Sequence, residues 1–447
     1  MADLESIPLA NDALVRPSRR SFLQATGWSL AASVVPATAL GLDDATPAND
    51  RIQLGLVGYG PRAKYVLKGF LQHADARVLS VCDLQKSRRE AGKQAVDEHY
   101  AGPNASGDCV ATGRHEDLLD DDAIDALVIV TGDRWHAPLS MLAAEAGKDV
   151  YSEKPCGLTF ELCQQLADTI NRTGRVYQAG TQRRSVPNFE AAANVALEGH
   201  LGELKTLYAS AYTPELKNDW LPAEALPAKE ECDWNRWLGP APWRPFNQKY
   251  VDGRWRGYWD FDSGCRLLDW AAHTLDLCQW AAGEDGSMPT TYEPRDDKIV
   301  CTYESGVAIQ IDFLPDPFGD RDPHYITKLG TCPVRYEGEN GWIETGDSGD
   351  LAVSDESLRQ HVPPVAEKTW GQDVGAHARN FLDCIRSREL THANQNVMRK
   401  SHLACHAASI AWMLGRTLTV DPQAETFTDP DAAVLTRRAA RDWSDVG

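Results

Sequence analysis

The chain has 447 residues, 45 of them Lys or Arg and 65 Asp or Glu, a formal charge of −20 with 43% hydrophobic and 25% charged residues. That is the composition of a soluble globular chain of two or three domains, each able to bury a core without disulfide staples. No block of basic residues offsets the negative charge, which excludes a basic nucleic-acid-binding role and disfavours anionic lipid surfaces.

The first 41 residues read as a targeting segment rather than fold. Arg19 and Arg20 precede Phe22 and Leu23, an apolar stretch runs from Trp28 to Ala39, and Ala37-Thr38-Ala39 offers a cleavage point. This resembles a twin-arginine export signal and predicts life in the periplasm or cell envelope, with a polar linker over 42–50. The apolar stretch, about 12 residues, is too short to span a bilayer core of some 30 Å, and no other stretch approaches that length. All eleven cysteines follow this segment without a close CxxC pair. That argues against a zinc site and a full disulfide framework, and most read as buried small hydrophobes.

Residues 51–178 alternate β-branched runs with amphipathic stretches. The pattern predicts strands at 52–57, 78–82, 126–130 and 149–152, and helices at 61–70, 85–99 and 138–146, hence a doubly wound parallel sheet in an α/β fold. Gly58-Tyr59-Gly60-Pro61-Arg62-Ala63 follows the first strand and opens the first helix. In this GxGxxA turn the first glycine permits the tight bend and the second lets backbone N–H groups approach a pyrophosphate. Asp83 ends the next strand, where a carboxylate accepts bonds from the adenosine ribose and repels a 2′-phosphate, so NAD is expected over NADP. Arg62 is within reach of a phosphate. Lys154, in Glu153-Lys154-Pro155, follows the strand ending at Ser152, the end of a parallel strand where ligands bind; taken alone, such a lysine is more often a solvated loop residue.

Residues 179–415 change character, and 416–447 read as a tail. The runs at 300–303 and 307–311, with Ser305-Gly306 between them, predict a β-hairpin and so an antiparallel sheet. The segment 220–259, rich in Trp and Pro, reads as irregular chain lining a site or an oligomer contact. A helix over 266–282 is apolar almost all round but carries Asp269, His273 and Asp276 on one face. Helices are also expected at 374–385 and 397–414.

Together these motifs resemble the Gfo/Idh/MocA family, named for glucose-fructose oxidoreductase and inositol dehydrogenase. The carrying residues are Gly55 to Gly60, Thr131-Gly132-Asp133-Arg134-Trp135-His136-Ala137-Pro138, Glu153-Lys154-Pro155, the stretch from Gln178 to Ser185, the stretch from Trp237 to Asn247, and Asp269-Trp270-Ala271-Ala272-His273. The resemblance implies an N-terminal Rossmann domain and a C-terminal α/β domain on an open, largely antiparallel sheet through which the protein forms homo-oligomers. It implies NAD, a sugar or polyol substrate, catalytic Lys154, Asp269 and His273, and no metal. Cofactor contacts fall on Gly58, Tyr59, Gly60, Arg62, Asp83, Thr131, Trp135, His136, Glu153 and Gln182, and substrate contacts on Arg256 and Tyr258. Gly132 stands where the family usually has proline. Chemically, His273 suits proton exchange with a secondary hydroxyl, Asp269 one turn back would hold its tautomer, and Lys154 would face the developing alkoxide or act as base itself. Three functions are compatible with these residues: an NAD-dependent sugar or polyol dehydrogenase, a redox-neutral enzyme with retained NAD (an oxidation-elimination glycosidase or a paired sugar oxidoreductase), and a non-catalytic NAD- and sugar-binding protein. The intact Glu-Lys-Pro and Asp-x-x-x-His motifs favour the first.

Overall fold

The computed structural model describes residues 50–101, 108–314, 329–365 and 369–442; residues 1–41, expected to be an export signal, lie outside them. The first sheet contains β1 (Ile52–Val57), β2 (Ala76–Cys82), β3 (Val110–Thr112), β4 (Ala126–Ile129), β5 (Asp149–Ser152) and β6 (Tyr177–Ala179). All neighbours are parallel and the order is β3-β2-β1-β4-β5-β6, the doubly wound arrangement expected. β4 and β5 are buried along their whole length, as strands covered on both faces must be. The longer helices between strands are α1 (Pro61–Leu71), α2 (Lys86–Tyr100), α3 (Asp133–Glu145) and α4 (Phe160–Thr173). α3 begins five residues before the expected position 138. Pro138 therefore sits inside the helix rather than at its first residue, giving up one main-chain bond for the packing of Trp135, Ala137 and Leu139.

The second sheet has nine strands: β7 (Leu204–Tyr212), β8 (Thr291–Arg295), β9 (Lys298–Thr302), β10 (Ala308–Leu314), β11 (Val334–Gly338), β12 (Gly341–Thr345), β13 (Leu351–Val353), β14 (Leu418–Asp421) and β15 (Thr426–Phe427). Their order is β13-β12-β11-β7-β10-β9-β8-β14-β15. Only β7 and β10 pair in parallel. The expected hairpin is β9–β10, with Ala308 opposite Thr302. Residues beyond 416, expected as a tail, instead supply β14 and β15, because Leu418 and Val420 alternate inward to close the core edge.

The longer helices that follow are α5 (Pro187–Leu197), α6 (Leu268–Ala281), α7 (Gly375–Ser387) and α8 (Gln395–Leu414). α5, α6 and α8 share one core with the inner face of the nine-stranded sheet. α7 returns to the first sheet, where Ala378, Phe381 and Leu382 pack against α1, and the Phe381 ring meets Phe70 and Tyr151 edge-on. The segment 220–259 contains two short helices, Trp234–Leu238 and Gln248–Val251. Its aromatics mostly face one another: Trp234 and Trp237 stack at 4.6 Å within a cluster holding Phe246, Tyr250, Tyr258 and Phe261. All eleven cysteines are buried, as small hydrophobes.

Candidate active site

The carboxyl ends of β1, β4 and β5 open on a cleft of about 540 Å³ whose opposite wall is the amino-terminal half of α6. At one end lies the glycine turn. Gly58 has φ +90, and a Cβ there would lie 2.4 Å from the Val130 carbonyl oxygen, so the bend requires glycine. Gly60 caps α1 without any side-chain cap, leaving first-turn N–H groups for an anion. A Cβ on Gly60 meets only Arg88 Nη1, at 3.9 Å, so the space above it is open.

Asp83 lines the same end. Its carboxylate accepts from Tyr59 N at 2.7 Å and Gln85 N at 2.8 Å, and burial pushes its pKa up against these bonds. Tyr59 departs from expectation: its ring is 8% exposed, lies in the core against Gly92, and does not line the cleft, so only its backbone N–H serves the site. Arg88, which sequence reasoning did not single out, joins Asp83 at the cleft wall and donates to the Val251 carbonyl at 3.2 Å. Arg62 Nε bonds Glu153 Oε1 at 2.9 Å, so Glu153 braces Arg62 while lining the cleft.

Midway, the 131–138 loop meets the 153–155 turn through His136. Its Nδ1 is 2.7 Å from the Pro155 carbonyl and Nε2 is 3.2 Å from that of Thr131. Burial lowers the histidine's pKa, so the neutral ring donates its one N–H to one of these two carbonyls, and His136 sits between the two loops. Thr131 and Trp135 line the cleft, with Trp135 Nε1 donating to the Arg236 carbonyl at 3.0 Å. Gly132 is extended, φ −89, and a Cβ there would meet Arg134 Nη1 at 2.7 Å. Glycine at this position makes room for Arg134, which lies 3.4 Å over the Trp237 ring.

The far end gathers charge. Lys154 Nζ donates to the Asp269 main-chain carbonyl and lies 3.2 Å from Asp269 Oδ1. Arg256 Nη2 is 2.9 Å from the same carboxylate, while its Nη1 faces Asp262 at 3.2 Å and Asp133 at 3.7 Å. Burial pushes Asp269 up, but Arg256 and Lys154 outweigh it and hold the carboxyl below its ordinary value. Asp262 behaves oppositely: burial with Asp133 beside it raises its pKa to about 7 against Arg256. His273 does not bond Asp269, contrary to the expected tautomer-holding pair, because the carboxylate is taken by the two cations. Burial, then Arg183, Lys154 and Arg62, push His273 well below the usual histidine pKa. Its Nδ1 is buried without a hydrogen-bond partner, and the residue lines the cleft. Asp276, on the same helix face, pairs with Arg184 at 2.6 Å outside the cleft. Tyr258 also departs from expectation: it sits in the aromatic cluster and lines an adjoining pocket, whereas Arg256 lines both.

Two further residues of the quoted motifs stand out. Arg183 is clamped by Asp347 through Nε and Nη2, each at 2.7 Å, and Gln182 Nε2 donates to Gly371 at 3.1 Å. Arg62, Arg134, Gln182, Arg183 and His273 all line the cleft, and each keeps one buried polar atom without a hydrogen-bond partner. Each such atom costs about 1–3 kcal/mol until something satisfies it. A ligand of dinucleotide length lying over the glycine turn, with acceptors for the three guanidinium groups and a donor for Gln182 Oε1, fits this wall. Among the described residues no group of three or more His, Cys, Asp or Glu side chains is placed to hold a metal ion, and no helix is long and apolar enough to cross a membrane.

A doubly wound sheet whose phosphate turn and Lys154 share a cleft with Asp269 of a second α/β domain defines a dinucleotide-dependent oxidoreductase architecture. Residues 52–181 match the model of the oxidoreductase family NAD-binding Rossmann fold, and 199–308 match that of the family's C-terminal α/β domain. The chain belongs to the Gfo/Idh/MocA oxidoreductase family. Among curated relatives, a glycosyl hydrolase family 109 protein of Shewanella baltica is 31% identical over 174 residues. That match takes in 35% of this chain and 37% of the relative, so the likeness spans little more than a third of either. Similar solved folds include the aldose-aldose oxidoreductase from Caulobacter crescentus complexed with glycerol (TM-score 0.58, 16% identity, 83% of this chain and 100% of that one). Another is the myo-inositol 2-dehydrogenase from Lactobacillus plantarum (TM-score 0.57, 15% identity, 83% and 100%).

Proposed function

We propose that the protein transfers a hydride between the nicotinamide of NAD and a secondary hydroxyl of a sugar or polyol. The observation that carries this reading is the convergence of Lys154, Asp269 and His273 at the cleft end opposite the Gly58–Gly60 turn. When bound, nicotinamide supplies the hydride acceptor. The chain supplies the rest. His273, kept neutral by burial and neighbouring cations, offers a ring nitrogen to the hydroxyl proton. Lys154 places positive charge beside the oxygen as it becomes an alkoxide, which lowers the barrier most where water is excluded. Asp269 and Arg256 fix where that charge sits. Asp83 disposes the site toward NAD, and the open face of the nine-stranded sheet is the surface for homo-oligomer contact. The test is turnover of the full-length protein with NAD across a panel of sugars and polyols, followed by nicotinamide reduction. A chain that binds NAD but reduces it with no member of the panel overturns the reading.

A second reading is favoured by the export pattern around Arg19-Arg20 and by the glycosyl hydrolase relatives. An exported enzyme meets no pool of free nicotinamide, so NAD loaded before export would stay bound and be regenerated within each cycle. Stoichiometric NAD in protein purified without added nucleotide, with turnover requiring none, selects this reading. Empty protein that needs free NAD excludes it.

A further inference from the structure

Next to the reacting end lies a second pocket, continuous with the cleft through Arg256 and Asp269. In a chain of charge −20 its wall is markedly basic: Lys217, Arg254, Arg256 and Arg266 face a single lining carboxylate, Asp269. Arg256 and Asp269 are committed to one another, and Asp269 also to Lys154. Glu215, behind the wall, lies 3.5 Å from Arg266 and 3.8 Å from Lys217, a contact that must serve two cations. Arg254 is exposed and has no carboxylate within 4 Å among the described residues. The positive charge is therefore in excess of its partners at this one place.

The backbone gives a second, independent observation. Gly264, Cys265 and Arg266 have φ of +59, +50 and +77, three consecutive residues in the left-handed region, two of which carry side chains that disfavour it. Such runs persist only where surrounding structure holds them, and they gather at ligand sites. Here the Cys265 carbonyl accepts from Glu215 N at 2.8 Å, and the Arg266 guanidinium lies 4.1 Å over the Tyr212 ring. The strained turn, directly before α6, delivers Arg266 to the pocket wall three residues from Asp269.

We propose that this pocket receives an anionic substituent of the substrate, so that the enzyme acts on an acidic sugar, a sugar carboxylate or sugar phosphate, rather than on a neutral one. The inference rests on the hydride-transfer reading above and adds the substrate's charge. Arg254 and Arg266 are the specificity-determining pair, since Arg256 is held by carboxylates and Lys154 serves the reacting oxygen. Recognition by partly exposed guanidinium groups adds modest affinity per contact and is weakened by salt.

The experiment uses full-length protein loaded with NAD and three matched probes: D-glucose, D-glucuronate and D-glucose 6-phosphate. Binding is measured by calorimetry and turnover by steady-state kinetics. At least one acidic probe is expected to exceed glucose at least tenfold in affinity or kcat/KM, and whichever one does so identifies carboxylate or phosphate as the group. In Arg254→Ala that preference should fall at least tenfold, through KM rather than kcat, with NAD binding retained. Arg254→Lys should recover part of it, and added salt should erode it in the wild type. Glucose equal to or better than both acidic probes overturns the proposal while leaving the hydride-transfer reading intact. So does an Arg254→Ala variant that keeps the preference. Failure of all three probes to bind overturns the proposal, and nicotinamide that no sugar of any charge reduces overturns the underlying reading instead.

Discussion

The two glycines of the nucleotide turn make opposite demands, and substituting each by alanine separates fold from binding. At Gly58 a side chain meets two penalties. The φ of +90 is strained for any L-residue, about 1–3 kcal/mol. The new Cβ also sits 2.4 Å from the Val130 oxygen and 2.8 Å from its carbonyl carbon, backbone atoms of β4's exit that cannot swing aside as a side-chain end would. The sum is about 4 kcal/mol, in the range reserved for specific structural damage. At about 2–4 °C per kcal/mol for domains of this size, Gly58→Ala should lower the apo melting temperature by roughly 8–16 °C. Gly60 has φ −80 and a nearest neighbour 3.9 Å away, so Gly60→Ala should leave apo stability within about 0.5 kcal/mol of wild type. Its methyl group, however, occupies the path of a pyrophosphate. NAD affinity should fall at least tenfold, about 1.4 kcal/mol, and the rise in melting temperature on saturating NAD should shrink accordingly. Scanning calorimetry with and without NAD reads both quantities. Refutation is equally direct: Gly60→Ala protein stabilised by NAD as wild type is stabilised would mean that the dinucleotide does not lie over this turn.

Lys154→Ala and His273→Ala should each cut kcat by at least a hundredfold while NAD affinity stays within about threefold, because both sit at the reacting end rather than along the dinucleotide; wild-type turnover in either variant removes that residue from the mechanism. Asp83→Ser should weaken NAD and narrow its margin over NADP, with Arg88 beside it ready for a 2′-phosphate, and tighter NADP binding by the wild type would refute the role given to Asp83. Acid should destabilise the fold early: burial depresses His377, His402 and His406 to about 3, below the unfolded value near 6.5. The neutral forms are favoured in the fold, so their contribution is complete above about pH 6.5 and is lost as pH falls toward 3, at roughly 1.4 kcal/mol per pH unit for each histidine. Urea midpoints at pH 7.5, 6.5 and 5.5 should drop most over the last step, and a flat or rising series would show these histidines to be protonated in the fold.

The features that sequence made legible are local ones. β1 and β5 coincide with the expected strands, and α6 lies within two residues of the expected helix at its start and one at its end, because hydrophobic period and turn chemistry act over a few residues. Asp269 and His273 do share the predicted face. That spacing could not say whom Asp269 would bond. Its partners, Lys154 and Arg256, reach it from other segments, one of them 115 residues away, and two cations within 3.2 Å outbid a neutral imidazole for one carboxylate. The same competition explains Arg183, hidden in Gln-Arg-Arg until Asp347 arrived from 164 residues downstream, while Tyr59, expected at the cofactor, is core because its ring packs beside Gly92. In each case the residue type was visible and the partner was not, since charge pairing in this cleft is decided by which chain segments the two sheets bring together. α7 was expected near its place and the strands beyond residue 416 were not, and only the assembled cores determine which sheet each one completes.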